Sequence, residues 1–171
     1  MQHLLVMQNI TKSFGGSKAL RDGCIEVDKG QIHALIGANG AGKSTLMNIL
    51  YGLCRKDSGS IIFDGKERSF KNIHKANSAG IFMIHQELTV AGDLTIAQSI
   101  FLGREPRKGI RINEKAMKEE TEKLLAMVGV DEHPDSLMKF LSPAEQQLVQ
   151  IAAVLSRQVR LIILDEPTTA L

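Results

Sequence analysis

Gly37-Ala38-Asn39-Gly40-Ala41-Gly42-Lys43-Ser44-Thr45 is the stretch that decides the fold. It satisfies G-x-x-x-x-G-K-[ST], the phosphate-binding loop. The apolar run before it, Ile32-His33-Ala34-Leu35-Ile36, predicts a buried strand, and Thr45-Leu46-Met47-Asn48-Ile49-Leu50-Tyr51 after it predicts a helix. Strand, glycine loop and helix form the context that this motif requires. Glycines let backbone N–H groups turn inward and approach a phosphate. The helix that begins there offers further N–H groups and the positive end of its dipole. Lys43 adds a full positive charge for the outer phosphates, and the Ser44 hydroxyl is a ligand for Mg²⁺.

The chain has 171 residues, 43% hydrophobic and 23% charged, the composition of an ordinary globular domain. A net charge of +2 gives no argument for nucleic acid as a partner. Cys24 and Cys54 are far apart and lack metal-ligand spacing, which predicts reduced core thiols in a cytoplasmic protein. The opening residues lack the basic and apolar regions of a signal peptide, and no apolar run is long enough for a membrane span. The chain stops at Leu171, directly after a strand and turn that look functional, so a fragment is expected.

Working outward, residues 4–7 and 24–27 read as short strands, with a loop over 11–16 between them. This opening looks antiparallel. Phe14 sits in that loop beside two glycines, either as a face stacked on a nucleobase or as a plug on the strand edge. Residues 61–63 read as a strand, Asp64-Gly65-Lys66 as a hairpin turn, 73–78 as a short helix and 81–84 as a buried strand of parallel type. That last strand delivers His85-Gln86-Glu87 to its C-terminal end, where ligands gather in open α/β sheets. Gln86 either binds metal and orients water through its amide or is an ordinary polar residue starting a loop. His85 reads as a structural neighbour. Thr95 caps a short helix through Phe101, a loop covers 103–109, and Asn113 caps a longer helix whose charged run is its solvated face. Helical character from about 90 to 150 predicts a subdomain inserted in the sheet.

Ser142-Pro143-Ala144-Glu145 is a helix start, with Ser142 at the N-cap, Pro143 at N1 and Glu145 at N3 of a capping box. Leu161-Ile162-Ile163-Leu164 predicts a third buried strand, ending in Asp165-Glu166-Pro167. Four apolar residues followed by Asp form the Walker B pattern. Asp165 there holds Mg²⁺, directly or through water, and Glu166 is placed to accept a proton from an attacking water.

Taken together, these motifs resemble the ATP-binding cassette (ABC) ATPase family over essentially the whole chain, in the family's order: Phe14, residues 37–44, Gln86, Leu141-Ser142 and Asp165-Glu166. Tyr51-Gly52-Leu53, His85-Gln86-Glu87-Leu88 and Phe101-Leu102-Gly103-Arg104-Glu105-Pro106 look like the bacterial monosaccharide importers, in which two cassettes share one longer chain. The resemblance implies an α/β P-loop NTPase fold: an N-terminal antiparallel part, a mostly parallel core sheet and an inserted helical subdomain, here C-terminally truncated. It implies that Phe14 stacks on adenine, and that the backbone of Asn39, Gly40, Ala41, Gly42, Lys43, Ser44 and Thr45, with the Lys43 side chain, binds the phosphates of ATP. It implies that Ser44, Gln86 and Asp165 organise Mg²⁺ and that Glu166 is the general base. The implied partners are a second cassette, transmembrane permease subunits and, indirectly, a periplasmic sugar-binding protein, with no nucleic acid. The implied location is the cytoplasmic face of the bacterial inner membrane, as a peripheral subunit.

Two departures stand against that pattern. The family signature Leu-Ser-Gly-Gly-Gln reads Leu141-Ser142-Pro143-Ala144-Glu145 here. Ala144 adds a Cβ, and Glu145 brings a negative charge towards a phosphate unless its capping box holds it back. The family's segments beyond Walker B are absent. Three readings follow: an ATPase subunit of a sugar importer, a cassette that binds nucleotide without turnover by itself, or an importer ATPase for another small solute. An ABC ATPase of DNA repair or translation would show a coiled-coil insertion or basic arm, and neither is present.

Overall fold

The structure, a computed structural model, describes residues 3–84 and 91–164. Gly15 (φ 52°) and Gly16 (φ 86°) close a two-residue turn that pairs Phe14 with Ser17. Positive φ at both central positions is the turn whose twist matches the flanking strands. Those strands, β1 (His3–Phe14) and β2 (Ser17–Asp28), are longer than the expected segments and absorb residues 11–14 of the expected loop. The reason is that a ladder needs backbone partners, not apolar side chains: Lys12 pairs with Leu20 and Ser13 with Lys18. The chain continues through α1 (Lys43–Tyr51), β3 (Ser58–Phe63), β4 (Lys66–Glu67), α2 (Ile73–Ser78) and β5 (Ile81–Ile84). Beyond the undescribed stretch come α3 (Ile96–Phe101), β6 (Arg107–Lys108), β7 (Arg111–Ile112), α4 (Glu114–Val128), a 3₁₀ turn (Met138–Phe140), α5 (Pro143–Leu155) and β8 (Leu161–Leu164). The chain divides into two compact units, residues 1–81 and 82–171.

In the first unit an antiparallel sheet runs in the order β2-β1-β3-β4. Leu5, Met7 and Ile10 of β1 and Ile61 and Phe63 of β3 are buried with Ile49 and Leu50 of α1. Leu5 and Met7 alternate as a strand should, but Ile10 breaks the parity. Asn9 accounts for it: at φ 53° it sits in a register shift between Met7 and Ile10, and this bulge turns the next side chain back to the core face. β3 crosses β1 at that bulge through Gly59, whose φ is 93°; a Cβ there would lie 2.5 Å from both the Gln8 and Asn9 carbonyl oxygens. The Asp64-Gly65 turn forms as expected, pairing Phe63 with Lys66.

The expected buried strand over 32–36 does not form. Residues 31–36 belong to no strand, and Ile32 is 98% and Ile36 90% exposed. Apolar periodicity records a capacity for burial, whereas a strand also needs a neighbour to satisfy its backbone; no described strand pairs with this segment. The cysteines are corrected too: Cys24 is exposed and Cys54 half-buried, so neither is a core thiol, though both are free. Burial still pushes the Cys54 thiol pKa up.

The second unit has its own apolar cluster, in which Ile96 and Ile100 of α3, Met117, Leu124 and Leu125 of α4, and Val149 and Ala152 of α5 are buried. The expected caps are present. Thr95 accepts from Gln98 N in a full capping box, Asn113 accepts from Ala116 N, and Ser142 accepts from Glu145 N. Thr121, a buried polar residue of α4, satisfies its hydroxyl on the Met117 carbonyl at 2.8 Å. β5 and β8 are hydrogen-bonded neighbours. β5 is buried throughout, as expected; in β8 only Ile163 is, and Leu164 is 47% exposed, so the expectation of a fully buried third strand is corrected. β8 has β5 as its one described neighbour, too little to cover four apolar side chains.

The bulge crossing makes a stability prediction. Gly59→Ala combines a left-handed backbone with a clash against two carbonyls, and should cost roughly 2–4 kcal/mol. Gly15→Ala, also at positive φ but with nothing within 4 Å of the added methyl, should cost only about 1 kcal/mol. Urea denaturation of the two variants checks the order; equal losses would remove the role given to the crossing.

Candidate nucleotide site

The phosphate loop begins where residues 31–36 lead away from β2 and ends where α1 starts. Ala41 N donates to the Ala38 carbonyl at 3.1 Å, closing a turn, and Gly40 and Gly42 take φ values of 80° and 90°. Gly42 is fixed twice over. Besides its left-handed backbone, a Cβ there would lie 2.9 Å from the Ala19 oxygen and 2.6 Å from Leu20 Cδ1. The glycine therefore seats the start of α1 directly on β2. Leu46, Ile49, Leu50 and Tyr51 anchor the rest of that helix in the core.

The N-terminus of α1 has no side-chain cap and no acidic residue in its first turn. α2, α3, α4 and α5 are instead capped by Asn72, Thr95, Asn113 and Ser142. Four orphan N–H groups at a helix start require partners. At α1 the sequence supplies none from a side chain, so the donors are left for an external acceptor, which fits a phosphate. Lys43 Nζ donates to the Gly37 carbonyl at 2.6 Å and the Ala38 carbonyl at 3.0 Å, so the ammonium arches back over the loop that precedes it. An arriving phosphate oxygen would replace neutral carbonyls by a charged acceptor, the stronger partner for a cation. Ser44 is exposed in the first turn of α1, and Asn39, Gly40 and Ala41 are exposed in the loop.

Phe14 stands at the end of β1, 51% exposed, with the Lys12 ammonium 5.2 Å from the ring centroid. Half-exposure leaves it no plug on the strand edge. Lys12 in turn binds Asp57 at 2.9 Å. Neither Lys12 nor Asp57 was visible as a site residue in the sequence: they lie 45 positions apart, and no motif links them.

The second unit, taken by itself, has a helix start at Ser142. Glu145 Oε2 accepts from Ser142 N at 2.8 Å and from Ser142 Oγ at 2.7 Å, while Glu145 N donates to Ser142 Oγ at 3.3 Å. These bonds, the hydroxyl first, hold the Glu145 carboxyl below the usual carboxylate range. The carboxylate that the sequence placed as a possible intruder on a phosphate is folded onto its own helix. Pro143 and Ala144 complete that first turn without adding a polar side chain. His85, Gln86, Glu87, Asp165 and Glu166, which follow β5 and β8, lie outside the described residues. Among the described residues no group of three or more His, Cys, Asp or Glu side chains could hold a metal ion.

The sequence profile of the ABC transporter family matches residues 20–169. The chain is 46% identical over 169 residues to the ribose import ATP-binding protein RbsA 1 of Streptomyces coelicolor, covering 98% of this chain and 34% of that protein. It is 42% identical over 169 residues to the galactose/methyl galactoside import ATP-binding protein MglA of Clostridium perfringens, covering 99% and 33%. The chain thus spans about a third of the length of the curated relatives it matches. Among solved structures it is similar to an ATP-binding cassette of an ABC transporter in its ADP conformation. The TM-score is 0.87 and the identity 28%, over 100% of this chain and 71% of the other. The fold is that of a P-loop ABC cassette.

The capping box makes a pH prediction. The folded-state pKa of Glu145 lies below its unfolded value of about 4.3, so its stabilisation is complete above that value and is lost as pH falls through the lower, folded one. Thermal melts between pH 3 and 7 should therefore show a smaller acid-side loss for Glu145→Gln than for the parent chain. Ser142→Ala removes the cap itself and should cost about 1 kcal/mol at pH 7. Identical acid-side slopes for the parent and Glu145→Gln would contradict the bonding described.

Proposed function

The chain belongs to the ABC transporter family of ATP-binding cassettes, and from that premise we propose that it is the ATP-binding and ATP-hydrolysing part of a bacterial sugar importer. The observation that carries the reading is the phosphate loop, whose helix is left uncapped while every other described α-helix is capped by a side chain. Identities of 42–46% to ribose and galactose import ATP-binding proteins support sugar as the class of solute. Which sugar is carried is set by permease and binding-protein surfaces that this chain does not include.

In this reading the backbone of residues 39–45 and the Lys43 ammonium bind the phosphates of ATP, and Phe14 stacks on the adenine. Ser44, Gln86 and Asp165 hold Mg²⁺, which when bound neutralises charge on the outer phosphates. Glu166 accepts the proton of the attacking water. Residues 1–171 belong to a single, incomplete ABC ATPase domain, with a helical subdomain over about 90–150 that contains the apolar cluster of α3, α4 and α5. A second cassette faces the phosphate loop with its own signature helix, and permease subunits dock on the region around Gln86 and the helical subdomain. A periplasmic sugar-binding protein delivers solute on the far side of the membrane. The subunit sits peripherally on the cytoplasmic face; among the described residues no helix is long and apolar enough to cross a membrane.

A second reading rests on the signature helix. Ser142 N and Glu145 N are already engaged in the capping box, which leaves fewer donors for a phosphate than a glycine-rich signature offers. The chain by itself then binds nucleotide weakly and turns it over very slowly. Partnering with a cassette that has a stronger signature restores the rate.

Lys43→Ala should weaken Mg-ATP binding by about tenfold or more, because a charged hydrogen bond to phosphate is lost. Calorimetric titration checks this, and unchanged affinity would refute the assignment of the loop. In the full-length protein, Glu166→Gln should keep ATP affinity and slow hydrolysis by at least about a hundredfold. Normal turnover in that variant would remove Glu166 as the base.

A further inference from the structure

The hairpin tip that carries Phe14 is tied to the segment following α1. Asp57, just before β3, accepts from Lys12 Nζ at 2.9 Å through Oδ1 and from Ser13 N at 2.7 Å through Oδ2. Its own N–H donates to the Thr11 carbonyl at 2.9 Å, and the Thr11 and Ser58 hydroxyls meet at 2.7 Å. Three consecutive residues of β1 are thus held by Asp57, the last residue of the α1–β3 connection, and Ser58, the first of β3. The Lys12 side chain is only 15% exposed, low for a lysine, and its ammonium lies over the Phe14 ring. Lys12 and Ser13 together hold the Asp57 carboxyl below its ordinary range, so the contact keeps its charge to lower pH than a free aspartate would.

We propose that Lys12 and Asp57 are positioning residues for the nucleobase: Asp57 fixes Lys12 over one face of Phe14 and so presents the ring to a purine, in register with the phosphate loop. The inference rests on the reading of Phe14 as the stacking residue. Its physical basis is twofold. A ring already held by a cation loses less conformational freedom when a base stacks on it. The cation also draws π density to its own side, which lessens repulsion between the opposite face and the π cloud of the base. The chain path adds the coupling. α1 begins at the phosphate loop, and the segment leaving its C-terminus reaches Asp57 and then β3. One helix thereby spaces the base-binding hairpin from the phosphate-binding loop.

A merely structural latch would weaken every ligand alike, whereas a base-positioning pair affects only ligands that carry a base. The test therefore titrates Mg-ATP and Mg-tripolyphosphate side by side, with circular dichroism melts to establish that each variant is folded. Phe14→Ala should weaken ATP by about tenfold or more, the value of a lost base stack, and leave tripolyphosphate unchanged. Asp57→Asn and Lys12→Met should each weaken ATP by about three- to tenfold with tripolyphosphate unchanged. Lys12→Arg should restore ATP affinity to the parent value, because guanidinium keeps both the ion pair and the ring contact. Asp57→Asn in a Phe14→Ala background should add nothing. Full ATP affinity in Asp57→Asn and Lys12→Met beside a loss in Phe14→Ala would overturn the positioning role and leave the stacking reading intact. A parallel loss of tripolyphosphate binding would reduce the pair to a structural latch. Unchanged ATP affinity in Phe14→Ala would overturn both.

Discussion

The first unit depends on the close approach of Gly42 to β2. With its φ at 90° and the Ala19 oxygen within 2.9 Å of any added methyl, this position admits no side chain. The contact brings the first turn of α1 against the sheet while leaving its N–H groups uncapped, and four buried side chains hold the rest of the helix in the core. A helix start left open in this way leaves donors unsatisfied. Burial of Leu46, Ile49, Leu50 and Tyr51 secures the helix without a cap, so its N-terminus can stay available to a phosphate.

Much of this was legible in the sequence because local chemistry determined it. Two positive-φ residues at Asp64 and Gly65 specify a hairpin turn, and the structure contains it. Ser142 followed three residues later by Glu145 specifies a capping box, and every bond of it is present. The α1 helix follows from its apolar spacing, and the cap at Asn113 from its side chain. In each case the deciding interaction spans four residues or fewer.

What the sequence hid was non-local. Residues 32–36 carry the composition of a buried strand, but composition cannot supply a neighbour, and Ile32 stays exposed. The tip of the first hairpin reads as a loop because Lys12 and Ser13 are polar. Their ladder partners Leu20 and Lys18 lie across a turn whose effect extends farther than a propensity window. Asp57 was the least legible. In isolation it is a polar residue in a turn, and its partners are set only when β3 pairs with β1 so that Ser58 faces Thr11. Motifs are read along the chain, whereas contacts such as Lys12–Asp57 depend on sheet register.

The two functional helix starts show the same physics used in opposite directions. Both α1 and α5 begin with the free N–H groups and positive dipole end that attract anions. At α1 the chain supplies glycine, no cap and no acid, so the site is left to an outside anion. At α5 it supplies Ser142 and Glu145, and the helix's own carboxylate takes the Ser142 N–H and hydroxyl. An internal carboxylate has the advantage of proximity, because it is tethered three residues from the groups it binds, and its depressed pKa keeps it ionised to lower pH than a free glutamate. A phosphate that engages the Ser142 N–H must first displace that carboxylate. The phosphate loop meets no such competitor from its own first turn, which carries no acidic residue.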